Sequence, residues 1–292
     1  MKRKPPKIIG VAANLDKPQA AERLAALIRL LQSHKARVLQ EHPQKMPIRR
    51  LAARSDMLMV LGGDGTILRV ARELEGLPTP ILGINLGYLG FLTAVSGDDW
   101  ENATIGVLQG AYQISPRHTL QATLRRNRRR LQSHHALNDA VISRAASSRV
   151  VRLRVFVDEE WLTEYVCDGI IFATATGSTA YSLSAGGPIL MPGARACLLT
   201  PICPHVLSNR PVITEARSVV RCQVAAAAGE LLLTVDGQVQ VAMQVGDELE
   251  VRAGSRVVYL VAPEGHRYFE VLRQKLKWSG SHVEASKTGQ LG

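Results

Sequence analysis

The first hundred residues alternate between two apolar patterns. Residues 7–13, 37–40, 57–61 and 80–85 form short, nearly continuous apolar runs of the length expected for buried strands. Between the first two, Leu24, Leu27, Ile28 and Leu31 recur at three- and four-residue spacing, with Arg23, Arg29 and Gln32 on other faces. That spacing predicts an amphipathic helix entered at Asp16, with Pro18 in its first turn. Further helices are predicted over 48–54, after Thr66 along 67–74, and over 98–108. Strands alternating with helices imply a mainly parallel sheet covered on both faces, with ligands at the carboxyl ends of its strands. Asp64 and Asn85 stand at such ends.

From about residue 112 the period changes to two. Val151, Leu153, Val155 and Val157 share one parity, against Arg152, Arg154 and Asp158. Residues 158–160 read as a polar turn, and 231–235, 239–243, 249–251 and 257–261 as further short strands. The predicted organisation is an α/β domain over 1–111 and a β-rich, sandwich-like domain over 112–268. A terminal segment, 269–292, follows: its helical part, 269–277, returns to the first domain, and its polar end from residue 279 frays.

A chain of 292 residues is long enough for two such cores. Its formal net charge of +11 favours anionic partners. Part of that excess is local: Arg125, Arg126, Arg128, Arg129 and Arg130 surround Asn127 between two strand-like runs and read as a solvated hairpin tip. No aromatic residues interleave them, so a nucleic-acid surface is not expected. Cys167, Cys197, Cys203 and Cys222 show no C-x-x-C spacing, which fits a reducing cytoplasm. Cys203 and His205 lack the second pair a metal site would need. No apolar stretch is long enough to span a bilayer, and the basic start is followed by too short an apolar segment for a signal peptide.

Two stretches carry candidate chemistry. In Gly62-Gly63-Asp64-Gly65-Thr66 the glycines let a ligand approach backbone N–H groups, and the helix that follows offers unpaired donors suited to phosphate. A carboxylate among phosphate-cradling amides either holds a divalent cation, takes a proton from an attacking hydroxyl, or caps the helix. Neither G-x-x-x-x-G-K-[ST] nor G-x-G-x-x-G is present. Further on, Asp168-Gly169 leads through 170–174 into Thr176-Gly177-Ser178-Thr179-Ala180-Tyr181-Ser182-Leu183-Ser184-Ala185-Gly186-Gly187. That segment is rich in hydroxyls and glycines, and Tyr181 is available to stack on a flat base. It suits a polar, multi-ring ligand, and no G-x-S-x-G elbow is present.

These stretches, with Asn138-Asp139, Leu207-Ser208-Asn209-Arg210-Pro211 and Asp236-Gly237-Gln238 in the same order, resemble the NAD kinase family over nearly the whole chain. The resemblance implies transfer of the ATP γ-phosphoryl group to the 2′-hydroxyl of the adenosine ribose of NAD, giving NADP. It also implies a divalent cation (Mg2+ or Mn2+) arriving with ATP, with no dedicated protein metal site, and a homo-oligomer. By the same resemblance Asp64 is the proton acceptor, and Gly63, Gly65, Thr66 and Asn85 lie beside it at the substrates. Asn138 and Asp139 bind NAD hydroxyls, and Arg149 contacts the substrate. Asp168 lies near the nicotinamide, Thr179, Ala180, Tyr181, Ser182, Leu183 and Ser184 enclose NAD, and Gln238 sits in a turn closing over it. One departure is Ala175, where the family usually has proline, which leaves the entering loop less constrained in φ. Related glycine cradles occur in lipid kinases, but hydroxyls in place of an apolar groove favour a dinucleotide acceptor.

Overall fold

The computed structural model describes residues 3–16, 19–85, 87, 90–96, 99–145 and 150–278. Strands β1 (Ile8–Ala13), β2 (Arg37–Gln40), β3 (Met57–Leu61) and β4 (Ile81–Ile84) pair in parallel in the order β2-β1-β3-β4. Alternate residues of these strands face opposite ways and both faces are covered. Ile9, Val11, Met57, Met59 and Leu61 pack with Leu27 and Leu31 of α1 (Ala20–Ser33) and with Trp100 and Val107 of α4 (Trp100–Leu108). Leu58, Val60 and Ile81 pack with Leu51 of α2 (Ile48–Ala53) and with Ile67, Val70 and Leu74 at α3 (Asp64–Glu73). This is the doubly covered parallel sheet that the apolar runs predict.

Helix boundaries differ from expectation at two places. Helix α1 begins at Ala20 because Gln19 takes φ 62, outside helical space; Lys17 and Pro18 lie outside the described residues. Helix α3 begins at Asp64, three residues earlier than expected, because Gly63 in extended conformation is its N-cap. The expected start of α4 at Asp98 also lies outside the described residues.

The second half is antiparallel. Strands β5 (Tyr112–Arg126) and β16 (Glu248–Pro263) pair along most of their length, and Leu260 of β16 also meets Ile81 of β4. The parallel sheet therefore continues as one ten-stranded sheet through β16, β13 (Val220–Ala227), β8 (Val151–Val157) and β9 (Glu160–Cys167), with β6 (Arg129–Ala136) beside β5. A six-stranded sheet packs on it, in the order β12 (Val212–Glu215), β11 (Ala196–Ile202), β10 (Gly169–Thr174), β7 (Asp139–Arg144), β14 (Leu231–Val235), β15 (Val239–Met243). Leu124, Leu153, Val155, Cys222 and Leu249 from the first sheet meet Ile142, Ile170, Phe172 and Leu233 from the second in one apolar core. The last helix is α6 (Tyr268–Leu276), close to the expected 269–277.

The arginine hairpin is in place, with Asn127 and Arg128 at positive φ in a tight turn. Its tip is exposed over residues 127–130, as expected, while the two arginines at its base are paired. Arg126 donates from Nε and Nη2 to Asp247 at 2.7 and 2.9 Å, and Arg125 Nε donates to Glu250 at 3.1 Å.

Candidate active site

The apolar strand β3 delivers the chain to Gly62 and Gly63, and α3 starts at once with Asp64 in its first turn. The Asp64 side chain does not cap its own helix. Its Oδ2 accepts the Phe91 N–H at 2.9 Å and its Oδ1 the Leu92 N–H at 3.1 Å, so the loop after β4 holds the carboxylate. Gly90 makes this approach possible: a Cβ there would lie 2.0 Å from Asp64 Oδ1. Gly90 N–H in turn donates to Thr93 Oγ1 at 2.8 Å, and Asn85 Oδ1 accepts the Gly87 N–H at 3.0 Å. A carboxylate has about four lone-pair directions, so two N–H donors leave room for a substrate hydroxyl.

On one side of this turn is a cavity of about 720 Å3, lined among others by Asn14, Gly65, Thr66, Arg69, Arg72 and Gln238. It lies where β1 and β2 end and α3 begins, the place predicted for a ligand in an open parallel sheet. Arg69 is committed within it, donating to both oxygens of Glu41 at 2.6 and 3.0 Å, and that bond holds the guanidinium's pKa above its ordinary value.

A second cavity, of about 290 Å3, is lined by Asn138, Asp139, Ala180, Tyr181, Asp236 and Gly237 with their neighbours. The β14–β15 turn organises it. Asp236 and Gly237 take φ 50 and 65, and the Asp236 carboxylate accepts N–H bonds from Leu137, Asn138 and Asp139 at 2.9, 2.7 and 3.1 Å. Burial nevertheless holds the Asp236 pKa above the ordinary carboxylate value. Burial also pushes the Asp139 carboxyl up to about 7, with the Asp236 charge adding to it, so Asp139 carries the proton of this pair more readily. Asn138 Oδ1 is buried without a hydrogen-bond partner, an acceptor that a bound hydroxyl or amide would satisfy. The same turn reaches the first cavity: Gln238 Nε2 donates to Gly65 O at 2.8 Å, and Arg72 Nη1 donates to Gln238 Oε1 at 2.7 Å.

The hydroxyl-rich segment covers the outer face of the six-stranded sheet, over Val141, Ile171, Ala173 and Leu198. It forms a single 3-10 turn, Gly177–Thr179, and then α5 (Tyr181–Ser184). Gly177 is required because a Cβ would fall 2.1 Å from Asn138 O. Ala175 does not leave the entry loose. Thr174 Oγ1 donates to Leu137 O at 2.6 Å, Gly177 N–H to Thr174 Oγ1 at 3.0 Å, and Ser178 Oγ to Ala175 O at 2.7 Å. Hydrogen bonds thus supply the constraint expected of a proline.

The expected residues do not all gather in one place. Gly65, Thr66 and Gln238 line the larger cavity, and Asn138, Asp139, Ala180 and Tyr181 the smaller. Ser182 faces inward, fully buried, sharing a 2.8 Å hydrogen bond with Thr200 Oγ1. Thr179 Oγ1 donates to Thr176 O at 3.2 Å, while Leu183 is half-buried and Ser184 exposed. Asp168 lies at the far end of the β7–β10 pair: Asp139 stands opposite Ala173, whereas Gly169 stands opposite Ser143. Five strand residues put it ~17 Å from the Asp139 end. There Arg144 Nε and Nη2 donate to its two oxygens at 2.7 and 3.1 Å, lowering its pKa. Arg149 lies outside the described residues. Sequence reasoning missed Phe91, Leu92, Asp236 and Arg72, which act through backbone N–H groups or across long sequence separations; the carboxylate of Asp-Gly-Gln was the one available signal. A third cavity, of about 610 Å3, lies between the sheets at His118, Ala175, Cys197 and Arg252, away from Asp64.

Comparison with known proteins finds relatives over most of the chain. Family models described as the ATP-NAD kinase N-terminal and C-terminal domains match residues 9–112 and 137–262. The chain is 40% identical over 284 residues to the NAD kinase of Moorella thermoacetica, covering 94% of this chain and 91% of that protein. It is 44% identical over 223 residues to the NAD kinase of Syntrophotalea carbinolica, covering 76% and 78%. Among solved structures, yeast NADH kinase complexed with NADH superposes with a TM-score of 0.85 at 29% identity, covering 98% of this chain and 91% of that one. An NAD kinase from Archaeoglobus fulgidus in complex with ATP shares the fold, with a TM-score of 0.76 at 23% identity, covering 94% of this chain and 100% of that one.

Proposed function

The chain belongs to the NAD kinase family, and we propose that its two cavities are the donor and acceptor halves of one phosphotransferase site with Asp64 between them. The activity is that of an NAD kinase: the γ-phosphoryl group of ATP passes to the 2′-hydroxyl of the adenosine ribose of NAD, giving NADP and ADP. The observation that carries the assignment of halves is the 236–238 turn, which lines the 290 Å3 cavity with Asp236 and Gly237 and the 720 Å3 cavity with Gln238.

Phosphoryl transfer asks a protein mainly to position its reactants and to stabilise charge. The first turn of α3 presents N–H donors to the polyphosphate in the larger cavity, with Gly65 adding no side chain to obstruct it. Asn138, Asp139 and Tyr181 hold the nucleoside of NAD, the unpartnered Asn138 Oδ1 accepting from a ligand hydroxyl. Asp64, oriented by the Phe91 and Leu92 N–H groups, takes the proton of the 2′-hydroxyl as that oxygen attacks phosphorus and ADP departs. In the bound complex its oxygen stands about 2.6–3.2 Å from the hydroxyl.

The donor set fits a divalent cation that brings its own ligands. Glu41 is spent on Arg69, and no cluster of three His, Cys, Asp or Glu side chains is present among the described residues. Phosphate oxygens and water would hold such a cation, with Asp64 the carboxylate nearest the cradle. When bound it neutralises charge on the transferring phosphoryl group.

No helix among the described residues is long and apolar enough to cross a membrane. Free cysteines at 167, 197, 203 and 222 support a cytoplasmic setting. The edge strand β12, with Ile213 50% exposed, supports covering by a second copy and hence a homo-oligomer. The test of the reaction is NADP formation from NAD, ATP and magnesium, read with an NADP-specific dehydrogenase. Asp64→Asn is expected to bind NAD within a few-fold of wild type while kcat falls by roughly two to four decades. Activity within a few-fold of wild type would reduce Asp64 to a structural anchor.

A further inference from the structure

We propose that Arg72 is the side chain that receives the polyphosphate of the donor nucleotide, and that Gln238 holds it in reserve until the donor arrives. This rests on the assignment of the larger cavity to the donor. That cavity has two guanidinium groups in its wall, Arg69 and Arg72, and they are in different electrostatic situations. Arg69 is closed to a ligand: Glu41 takes it in two-pronged fashion at 2.6 and 3.0 Å, and Glu73 adds a contact at 3.4 Å. A phosphate recruiting Arg69 would have to strip a partly buried carboxylate from it and leave that carboxylate unpaired.

Arg72 is one turn further along α3 and has no carboxylate within ion-pair distance among the described residues. The bond it makes is to a neutral amide oxygen, Gln238 Oε1, at 2.7 Å. The Asp236 carboxylate feels its charge, and that carboxylate is already taken up by three backbone N–H donors. Arg72 therefore keeps most of its donors for a ligand, in a wall shared with Gly65 and Thr66. Exchanging an amide oxygen for a phosphate oxygen replaces a neutral acceptor with an anionic one, and such bonds are roughly twice as strong. The exchange is downhill once a polyanion is present. Gln238 is suited to the reserve role because its other end is anchored, Nε2 donating to Gly65 O at 2.8 Å. It keeps Arg72 extended toward the phosphate cradle instead of into solvent.

The experiment titrates the full-length protein with AMP-PNP and magnesium by calorimetry, with inorganic tripolyphosphate as competitor, for wild type, Arg72→Gln, Arg72→Lys and Gln238→Glu. NAD is titrated separately. Arg72→Gln is expected to raise the AMP-PNP Kd by about 10- to 100-fold, the range for a charge-assisted hydrogen bond, with the NAD Kd within about threefold. Arg72→Lys should recover part of the loss. Gln238→Glu, which gives Arg72 an anionic partner without removing it, should weaken AMP-PNP and tripolyphosphate as Arg72→Gln does. The wild-type Kd should rise more steeply with salt than that of Arg72→Gln. An AMP-PNP Kd within twofold of wild type in Arg72→Gln, or equal weakening of NAD and AMP-PNP, would overturn the proposal and leave Arg72 a clasp between α3 and the 236–238 turn. Arg72-dependent AMP-PNP binding without NADP formation by wild type would count against the kinase reading while leaving this proposal standing.

Discussion

Replacing Gly90 with alanine should displace the Asp64 carboxylate without touching either substrate cavity. An alanine Cβ at this position would lie 2.0 Å from Asp64 Oδ1, 2.6 Å from its Cγ and 2.7 Å from Thr93 Oγ1, whereas real Cβ contacts essentially never fall below 3.0 Å. The carboxylate or the loop must therefore give by at least about 1 Å, and the Phe91 and Leu92 N–H bonds that orient Asp64 lengthen with it. A misplacement of about 1 Å in a reacting group costs on the order of 100-fold in rate, which is ~2.7 kcal/mol of barrier. The expected result is a kcat about 100-fold below wild type in the NADP-forming assay. NAD and AMP-PNP affinities by calorimetry should stay within a few-fold, and a melting curve should retain one cooperative transition. Because the loop holds Asp64 by backbone groups, Gly90→Ala shifts the carboxylate while leaving every functional side chain chemically intact, which separates orientation from chemistry. A kcat within threefold of wild type in a folded protein would refute the reasoning: the position of Asp64 set by residues 90–92 would then not matter for turnover.

Three further outcomes are expected. Asp139 holds its proton to about 7 in the folded protein against 3.8 in the ordinary carboxyl, so native Asp139 binds more protons than unfolded Asp139 between those values. Stability from this group accordingly falls as pH rises from about 4 through 7; Asp139→Asn should flatten that slope, gaining at most ~4 kcal/mol relative to wild type at pH 8.5 in urea unfolding, and parallel curves would contradict it. Asp247 is fully buried and bound by Arg126, whose side chain is 34% exposed, and by the Gln244 N–H at 2.9 Å. Asp247→Ala should cost about 3 kcal/mol, toward the low end for a broken buried pair because water reaches the arginine, visible as a lowered denaturant midpoint with kcat little changed. Ser182→Ala should cost about 1–2 kcal/mol through the orphaned Thr200 hydroxyl and leave KM for NAD within threefold; a large rise in KM would restore Ser182 to the binding surface.

How much of this could be read from the chain differs by element, and the differences have causes. The strands at 57–61 and 81–84 were legible because a sheet buried on both faces needs continuous apolar runs, and those runs are local. Period two made β8 legible in the same way, since its pattern alternates between core and solvent. Strands β11, β12 and β13 were not anticipated: Pro201 falls within β11 and β12 spans only four residues, and pairing of β11 with β10, of β12 with β11, and of β13 with β16 and β8 secures them. The sheet's continuity across residue 112 was equally hidden, because it depends on Leu260 of β16 meeting Ile81 of β4, 179 residues away in the chain.

The candidate site divides along the same line. Glycines at 62, 63 and 65, the lone Asp64 and the run of hydroxyls from Thr176 are statements about backbone access and hydrogen-bonding capacity, and residue identity alone determined them. Tertiary structure decided which of those residues line a cavity. It turned Ser182 into the core, carried Asp168 to the far end of its strand pair, and set Arg72 against Gln238, 166 residues away. It also decided what orients Asp64, through N–H groups that every residue but proline possesses and that no side-chain pattern announces. Identity specifies the chemistry available at a position, whereas direction and neighbours follow only from packing two sheets and their loops around it.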